Sequence, residues 1–97
     1  MIQDAIDRHG HLDELLDTRG RLLFAAGKQA DGIRDMQEAA MSSPTAARFF
    51  QLAVLHRRAN QPDAAAAAMK QARRYGLTPA DVPPQDVADY REMIARN

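Results

Sequence analysis

The sequence predicts an all-α fold in which pairs of helices stack as a solenoid. Three observations favour this fold: residue types recur about every 33 residues, apolar residues follow helical spacing, and the segments between helices are short. A repeat of this length is typical of units made of two helices. Short loops make consecutive helices antiparallel. No segment alternates polar and apolar residues as a strand does.

The repeat is visible when the chain is compared with itself. Small residues align with small residues, and Met aligns with Met. The first copy has Gly20, Leu23, Gly27, Gly32, Met36, Ala39 and Pro44, and the second has Ala53, His56, Asn60, Ala65, Met69, Ala72 and Leu77. A backward shift of 34 residues aligns Ile2, Ala5 and Gly10 with the end of the first copy. The small residues are expected where two helices cross closely.

The first half of the chain predicts three helices separated by glycine. The first covers about residues 2–9 and ends at Gly10, a residue suited to a left-handed helix stop. The second covers about residues 12–26 and ends at Gly27. The third covers about residues 29–41.

The second half predicts two further helices and a short last one. Ser43 as N-cap and Pro44 as first helical residue start a helix that runs to about residue 59. The next helix covers about residues 62–75 and ends at Gly76. Residues 78–81 match a capping box around a single turn, and a last helix follows at about residues 85–95.

Composition bounds the class of protein. At 97 residues the chain is one domain or less. It has no Cys, so it forms no disulfide, thiolate zinc site or cysteine nucleophile. It has neither a signal-peptide pattern nor an apolar run of membrane-spanning length. We expect a soluble chain of unknown compartment, with the cytoplasm favoured and a targeting signal in a missing N-terminal part left open.

Charge is distributed unevenly although the net charge is zero. Residues 1–41 carry eight acids and five bases, residues 42–76 one acid and six bases, and residues 77–97 four acids and two bases. This pattern indicates either charge complementarity between stacked neighbours or a basic surface for an acidic peptide. A nucleic-acid partner is not expected, because no basic stripe with interleaved aromatic residues is present.

The two copies resemble the tetratricopeptide repeat (TPR) family in its bacterial form. The matching pairs are Leu16 and Phe49, Gly20 and Ala53, Leu23 and His56, Gly27 and Asn60, Gly32 and Ala65, Met36 and Met69, and Ala39 and Ala72. The stretch 16–20 is similar to a form common in bacterial members. Three positions depart from the pattern: Arg19, His56 and Leu77, which replaces the second proline.

This resemblance implies a right-handed α-α superhelix with about two full repeats. The repeats would cover residues 13–45 and 46–78, and residues 85–96 would form a C-terminal capping helix with Asp89 and Glu92 among the residues on its solvent side. Residues 1–10 would be the second helix of a repeat whose first helix is missing. The chain would then be the C-terminal fragment of a longer TPR protein.

The resemblance also implies a concave groove lined by the first helix of each repeat. Phe49 takes the core position, so Phe50 points roughly 100° away, toward that groove. The expected partner-binding residues are Arg21, Phe24, Phe50, Val54, Arg57 and Arg58. An apolar patch rimmed by arginine suits an acidic, partly apolar protein or peptide. The alternative is that the last helix folds over Phe50 and Val54.

Residues capable of catalysis are scattered. His9 and His11 flank Gly10 without a third ligand nearby, and the repeat position of His56 favours a packing residue over a general base. No Ser lies in a nucleophile-elbow setting, and no Gly-rich loop follows a strand. We expect no catalytic residue, no cofactor, no metal site and no enzymatic activity.

The sequence therefore predicts a non-catalytic scaffold that presents a helical surface to a protein or peptide. Two alternatives stay open: a purely structural terminal segment that supports another domain, and RNA binding by helical repeats. No membrane partner is expected. The first helix lacks its partner helix, so it is expected either to fray or to form a weak homodimer through Ile2 and Ile6.

Overall fold

The computed structural model describes the backbone of residues 2–96 and the side chains of residues 12–95. The helices are α1 (Ile2–Ala25), α2 (Gln29–Ser42), α3 (Ala46–Arg58), α4 (Pro62–Arg74) and α5 (Val87–Arg96), with 3₁₀ turns at Pro79–Asp81 and Pro84–Asp86. No β-strand occurs among residues 2–96. The prediction of an all-α chain is confirmed.

The chain divides into two compact units. Unit one covers Met1–Pro44 and contains α1 and α2, and unit two covers Thr45–Asn97 and contains α3, α4 and α5. The division falls one residue before the boundary that the 33-residue repeat places after residue 45.

The N-terminal helix differs from the prediction. Helix α1 runs without a break from Ile2 to Ala25, through Gly10 and His11. A glycine inside a helix costs about 1 kcal/mol relative to alanine, but it does not force the chain to turn. The predicted stop at Gly10 is therefore wrong, and residues 2–10 belong to the same helix as residues 11–25.

The three other predicted helix stops are confirmed. Gly27, Asn60 and Gly76 have φ angles of 91°, 60° and 85°, all in the left-handed region. After each stop, the next backbone N–H donates to the carbonyl five residues earlier. These bonds join Lys28 to Leu23 (2.9 Å), Gln61 to His56 (2.9 Å) and Leu77 to Ala72 (3.0 Å). The same hydrogen-bonded motif thus ends α1, α3 and α4.

The start of α3 lies later than predicted. Thr45, not Ser43, is the N-cap: its backbone is extended, and its hydroxyl oxygen accepts a hydrogen bond from the backbone N–H of Arg48 at 3.1 Å. The Ser43 hydroxyl instead donates to the carboxylate of Asp13 within unit one. Pro44 therefore precedes the helix. Helix α4, by contrast, begins at Pro62 as predicted.

The C-terminal turns follow the sequence more closely. The Asp81 carboxylate accepts hydrogen bonds from the backbone N–H of Thr78 at 2.8 Å and from its hydroxyl at 3.1 Å, so the predicted capping box is present. Helix α5 begins at Val87, two residues later than predicted, because Pro84–Asp86 forms a 3₁₀ turn.

The two helices of unit one cross at a pair of glycines, Gly20 in α1 and Gly32 in α2. A β-carbon added to Gly20 would lie 2.8 Å from the carbonyl oxygen of Gly32, and one added to Gly32 would lie 2.5 Å from the carbonyl oxygen of Gly20. Both distances are too short for a carbon–oxygen contact, and backbone cannot move aside as a flexible side chain can. Only glycine fits at either position.

The core of unit two consists of alanines and larger apolar side chains. Ala53 and Ala65, which are 33 residues after the two glycines, are both buried. The rest of this core comprises Phe49, Phe50, Leu52, Val54, Leu55, Ala68, Met69, Ala72 and Met93. Burial thus repeats at the positions that the sequence comparison aligned.

Candidate functional site

The candidate site is one side of α3, named here the α3 face and made of Phe50, Val54, Arg57 and Arg58. These residues lie within an arc of about 100° around the helix, because Val54, Arg57 and Arg58 follow Phe50 by four, seven and eight residues. Phe50 is 0% exposed and Val54 is 1% exposed. The ring of Tyr90, from α5, lies edge-on to the ring of Phe50 with 5.9 Å between the centroids. Within unit two, α5 thus covers the aromatic part of the α3 face.

The two arginines of the α3 face are paired with acids of the same unit. Arg57 binds the carboxylates of Asp89 and Glu92. Arg58 Nη2 lies 2.8 Å from Asp89 Oδ2 and 3.2 Å from Asp86 Oδ1. Asp89 therefore joins both guanidinium groups. The Asp86 and Asp89 side chains are only 5% and 10% exposed, so these ion pairs neutralise two carboxylates that have largely left water.

Asp86 has a second partner on α3. Gln51 Nε2 donates to Asp86 Oδ2 at 3.0 Å, while Arg58 contacts the other carboxylate oxygen. Each oxygen of this buried carboxylate is therefore satisfied. Every hydrogen bond described between α3 and residues 84–96, which we name the acidic segment, joins two side chains. The contact depends on side-chain pattern and not on backbone pairing.

This geometry corrects the expected site in unit two. The prediction that Phe50 and Val54 lie on an accessible surface is wrong for this structure, because both are buried and Tyr90 packs on Phe50. The alternative, in which the last helix folds over this face, describes the observed packing. Arg57 and Arg58 lie at the rim as expected, but acids of the same chain already bind them.

The other two predicted site residues lie in unit one. Arg21 is exposed, and its Nε lies 3.2 Å from Asp17 Oδ1, one helical turn earlier. Phe24 is half-buried. A β-carbon added to Gly32 would lie 2.8 Å from the backbone nitrogen of Phe24. Phe24 therefore lies beside the crossing of α1 and α2.

The partner side chains on the acidic segment were not predicted. The sequence interpretation places Asp89 and Glu92 on the solvent side of the last helix, but Asp89 is buried and both bind Arg57. A usable signal was present: Asp89, Tyr90 and Met93 follow Asp86 by three, four and seven residues, as one helix face requires. That face mixes acids with apolar residues, which obscured it.

No protein-family model, curated protein or solved structure matches the chain. A functional proposal therefore rests on the chain's own residues and their geometry.

Arg19 is one of the three positions at which the sequence departs from the expected pattern, and it forms an ion pair with Asp35. Arg19 donates twice to Asp35, from Nε at 2.6 Å and from Nη2 at 3.0 Å. These hydrogen bonds hold the pKa of the buried Asp35 carboxyl below its ordinary value and raise the pKa of Arg19. Arg19 thus joins α1 to α2 through a bidentate salt bridge.

The remaining candidate residues take structural positions or lie outside the described side chains. His56 is half-buried, and its Nδ1 lies 2.7 Å from Gln61 Oε1, as expected of a hydrogen-bonded packing residue. Among the described residues, no three His, Cys, Asp or Glu side chains group as a metal site would require. The described helices also include none with the length and apolarity to span a membrane. His9, His11, Ile2 and Ile6 lie outside the described side chains, so the homodimer stays a prediction.

Proposed function

We propose that the chain is a non-catalytic protein-interaction module that binds an acidic, partly apolar helix of a protein partner through the α3 face. One observation carries this proposal: the α3 face is already complementary to such a helix, because the acidic segment of the same chain occupies it. The partner would take the place of that segment.

The chemistry of the α3 face supports an acidic partner. Arg57 and Arg58 present planar guanidinium groups that each contact two carboxylates. Such charge-assisted contacts are stronger than neutral hydrogen bonds and set orientation. Phe50, on the same face, supplies an aromatic anchor, a residue type that often dominates binding energy when it is fully desolvated. Complementary charge at the rim would mainly speed association and favour acidic partners over others.

We further propose that the two helix pairs belong to a TPR-type right-handed superhelix. The support is local. Each pair has a three-residue connection, at residues 26–28 and 59–61, and each has small residues at the aligned positions Gly20 and Gly32 or Ala53 and Ala65. In such an array the first helices of successive repeats would line one groove, and α5 would be the capping helix.

A second candidate function is a purely structural terminal segment. The observation that favours it is the completeness of the α3–α5 contact: Phe50 is fully buried, and both arginines have carboxylate partners. In this case α5 would seal the end of the chain, and no partner would use the α3 face.

A selection from a displayed peptide library with the full chain separates the two functions. The interaction module should enrich peptides that combine acids with an aromatic residue at helical spacing. Their binding should be lost in Arg57→Gln with Arg58→Gln and kept in the matched control Arg73→Gln with Arg74→Gln, an adjacent and exposed pair on α4. Failure to enrich any acidic peptide, or equal binding by both double variants, would reject the interaction function of the α3 face.

A further inference from the structure

We infer that the acidic segment is a built-in competitor of the partner and that its contacts define the sequence the partner must carry. This inference rests on the proposed function and adds the identity and the control of the ligand. The pattern is Asp-x-x-Asp-Tyr-x-Glu-Met, read from residues 86–93. A partner helix with this pattern gains access to the α3 face only when the acidic segment leaves it.

The pattern follows from which side chain meets which. The first acid, Asp86, binds Gln51 and Arg58. The second acid, three residues later, binds Arg57 and Arg58. These two carboxylates are the most buried acids described in unit two. A ligand without them would leave Arg58 without its carboxylate partners and Arg57 with Glu92 alone.

The apolar part of the pattern fixes the register of the helix. Tyr90 follows the second acid directly and packs edge-on against Phe50. Met93, three residues further on, is buried. Glu92 is about half exposed and binds Arg57 from the rim. A ligand shifted by one residue would rotate by about 100° and lose the aromatic contact together with both buried carboxylates.

The same contacts make the acidic segment replaceable. The hydrogen bonds described between it and α3 join side chains, so a helix that presents the same side chains in the same register can form them. The Arg57 and Arg58 side chains keep 31% and 46% of their surface exposed, so water and salt reach the ion pairs. Residues 75–83 tether the segment to α4, which gives it the high effective concentration of a linked ligand.

Because the acidic segment is tethered, it competes with any partner added in solution. A partner in solution binds only the fraction of molecules whose face is open, so its apparent Kd is the intrinsic Kd divided by that fraction. If the face is open in about 1% of molecules, binding weakens about 100-fold. A change that weakens the acidic segment alone should therefore tighten binding of the same helix added in trans.

The test uses a fluorescein-labelled synthetic peptide of residues 84–97 and the full chain. Asp86→Asn with Asp89→Asn weakens the acidic segment but keeps Arg57 and Arg58 for the peptide. We expect this variant to bind the peptide at least 10-fold more tightly than the unaltered chain, by fluorescence anisotropy. The matched control Asp31→Asn with Asp63→Asn removes two exposed acids and should bind as the unaltered chain does. A peptide with Asn at both acid positions should not bind.

Hydrogen exchange on the unaltered chain covers the case in which the variant does not fold. A saturating excess of the peptide should speed amide exchange in α5 and leave exchange in α3 slow. Unchanged α5 protection at saturation would overturn the inference, and so would equal peptide affinity in the three chains. If library peptides bind the α3 face while these results fail, the proposed function survives without the competitor. If no peptide binds even the variant, both fail.

Discussion

The two units have different small residues at the aligned positions of their helix pairs. In unit one, Gly20 and Gly32 let the backbones of α1 and α2 come so close that no β-carbon fits. In unit two, the aligned residues are Ala53 and Ala65, both buried with their β-carbons. The comparison teaches that the aligned positions hold small, buried residues in both units, while in unit one the close approach of the backbones leaves room for glycine alone.

The units differ more in whether a further helix covers the helix pair. Unit one joins α1 to α2 with one bidentate ion pair, and its Leu12, Leu15 and Leu22 stay 54%, 52% and 66% exposed. Unit two adds a third helix that buries Phe50 and binds two arginines. The third helix is therefore the feature that separates the units, and the predictions below act on that difference.

The largest effect is expected from the aromatic residue under α5. Phe50→Ala should lower the free energy of unfolding by about 3–5 kcal/mol, because it removes a fully buried ring and leaves a cavity. Urea denaturation followed by circular dichroism measures the loss. Tyr75→Ala is the control: Tyr75 stacks on Phe49 but is half exposed, so its loss should be clearly smaller.

The second effect tests the glycine crossing of unit one. Gly32→Ala should cost about 1–3 kcal/mol through overpacking, although alanine is the better helix former by about 1 kcal/mol. In unit two the reverse change, Ala65→Gly, should also destabilise, by about 1 kcal/mol. Thermal unfolding of the two variants measures both losses of stability. A stabilised Gly32→Ala protein would show that the helices of unit one are further apart than described.

The fold was predictable where one residue decides one conformation. Gly27, Asn60 and Gly76 each take the left-handed conformation that ends a helix, and Pro62 begins α4. Gly10 misled because glycine permits a turn but also tolerates a helix. The crossing of α1 and α2 at Gly20 and Gly32 was predictable from the repeat, since a small residue at a crossing is a direct steric requirement.

The occupant of the candidate site was not predictable from the residues alone. The charges of Arg57 and Arg58 predicted an acidic and partly apolar partner, and the acidic segment has that chemistry. Sequence pattern cannot distinguish a partner in another protein from a helix of the same chain, because both would present the same side chains. The decision depends on whether residues 75–83 return the chain to α3, which is a matter of tertiary geometry.

The third effect is a pH dependence of the stability of unit one. The pKa of Asp35 is lowered by its hydrogen bonds from Arg19, so the pair stabilises the folded state above the ordinary aspartate pKa of about 3.9. This contribution shrinks as pH falls below that value and is lost once pH passes the lower pKa of the folded state. In Asp35→Asn, the stability of α1 and α2 should therefore fall less as the pH is lowered from 6 to 3. Hydrogen exchange across this pH range measures the change. Asp31→Asn, which alters an exposed pair with Arg34, should leave the acid dependence in place.

The smallest effect is expected at the exposed leucines of α1. Leu15→Gln with Leu22→Gln should change the free energy of unfolding by less than about 0.5 kcal/mol, because both side chains already lie in solvent. Chemical denaturation measures this. A loss above about 2 kcal/mol would mean that this side of α1 is covered, and the contrast between the exposed surface of unit one and the covered surface of unit two would disappear.

The central claim is that the acidic segment occupies the α3 face in the free chain, and proton NMR tests it directly. The rings of Phe50 and Tyr90 lie edge to face with their centroids 5.9 Å apart. A nuclear Overhauser spectrum of the unaltered chain should therefore contain cross-peaks between the ring protons of these two residues. Assigned spectra without those cross-peaks, together with rapid exchange of the α5 amides, would contradict the account and leave the α3 face open in the free chain.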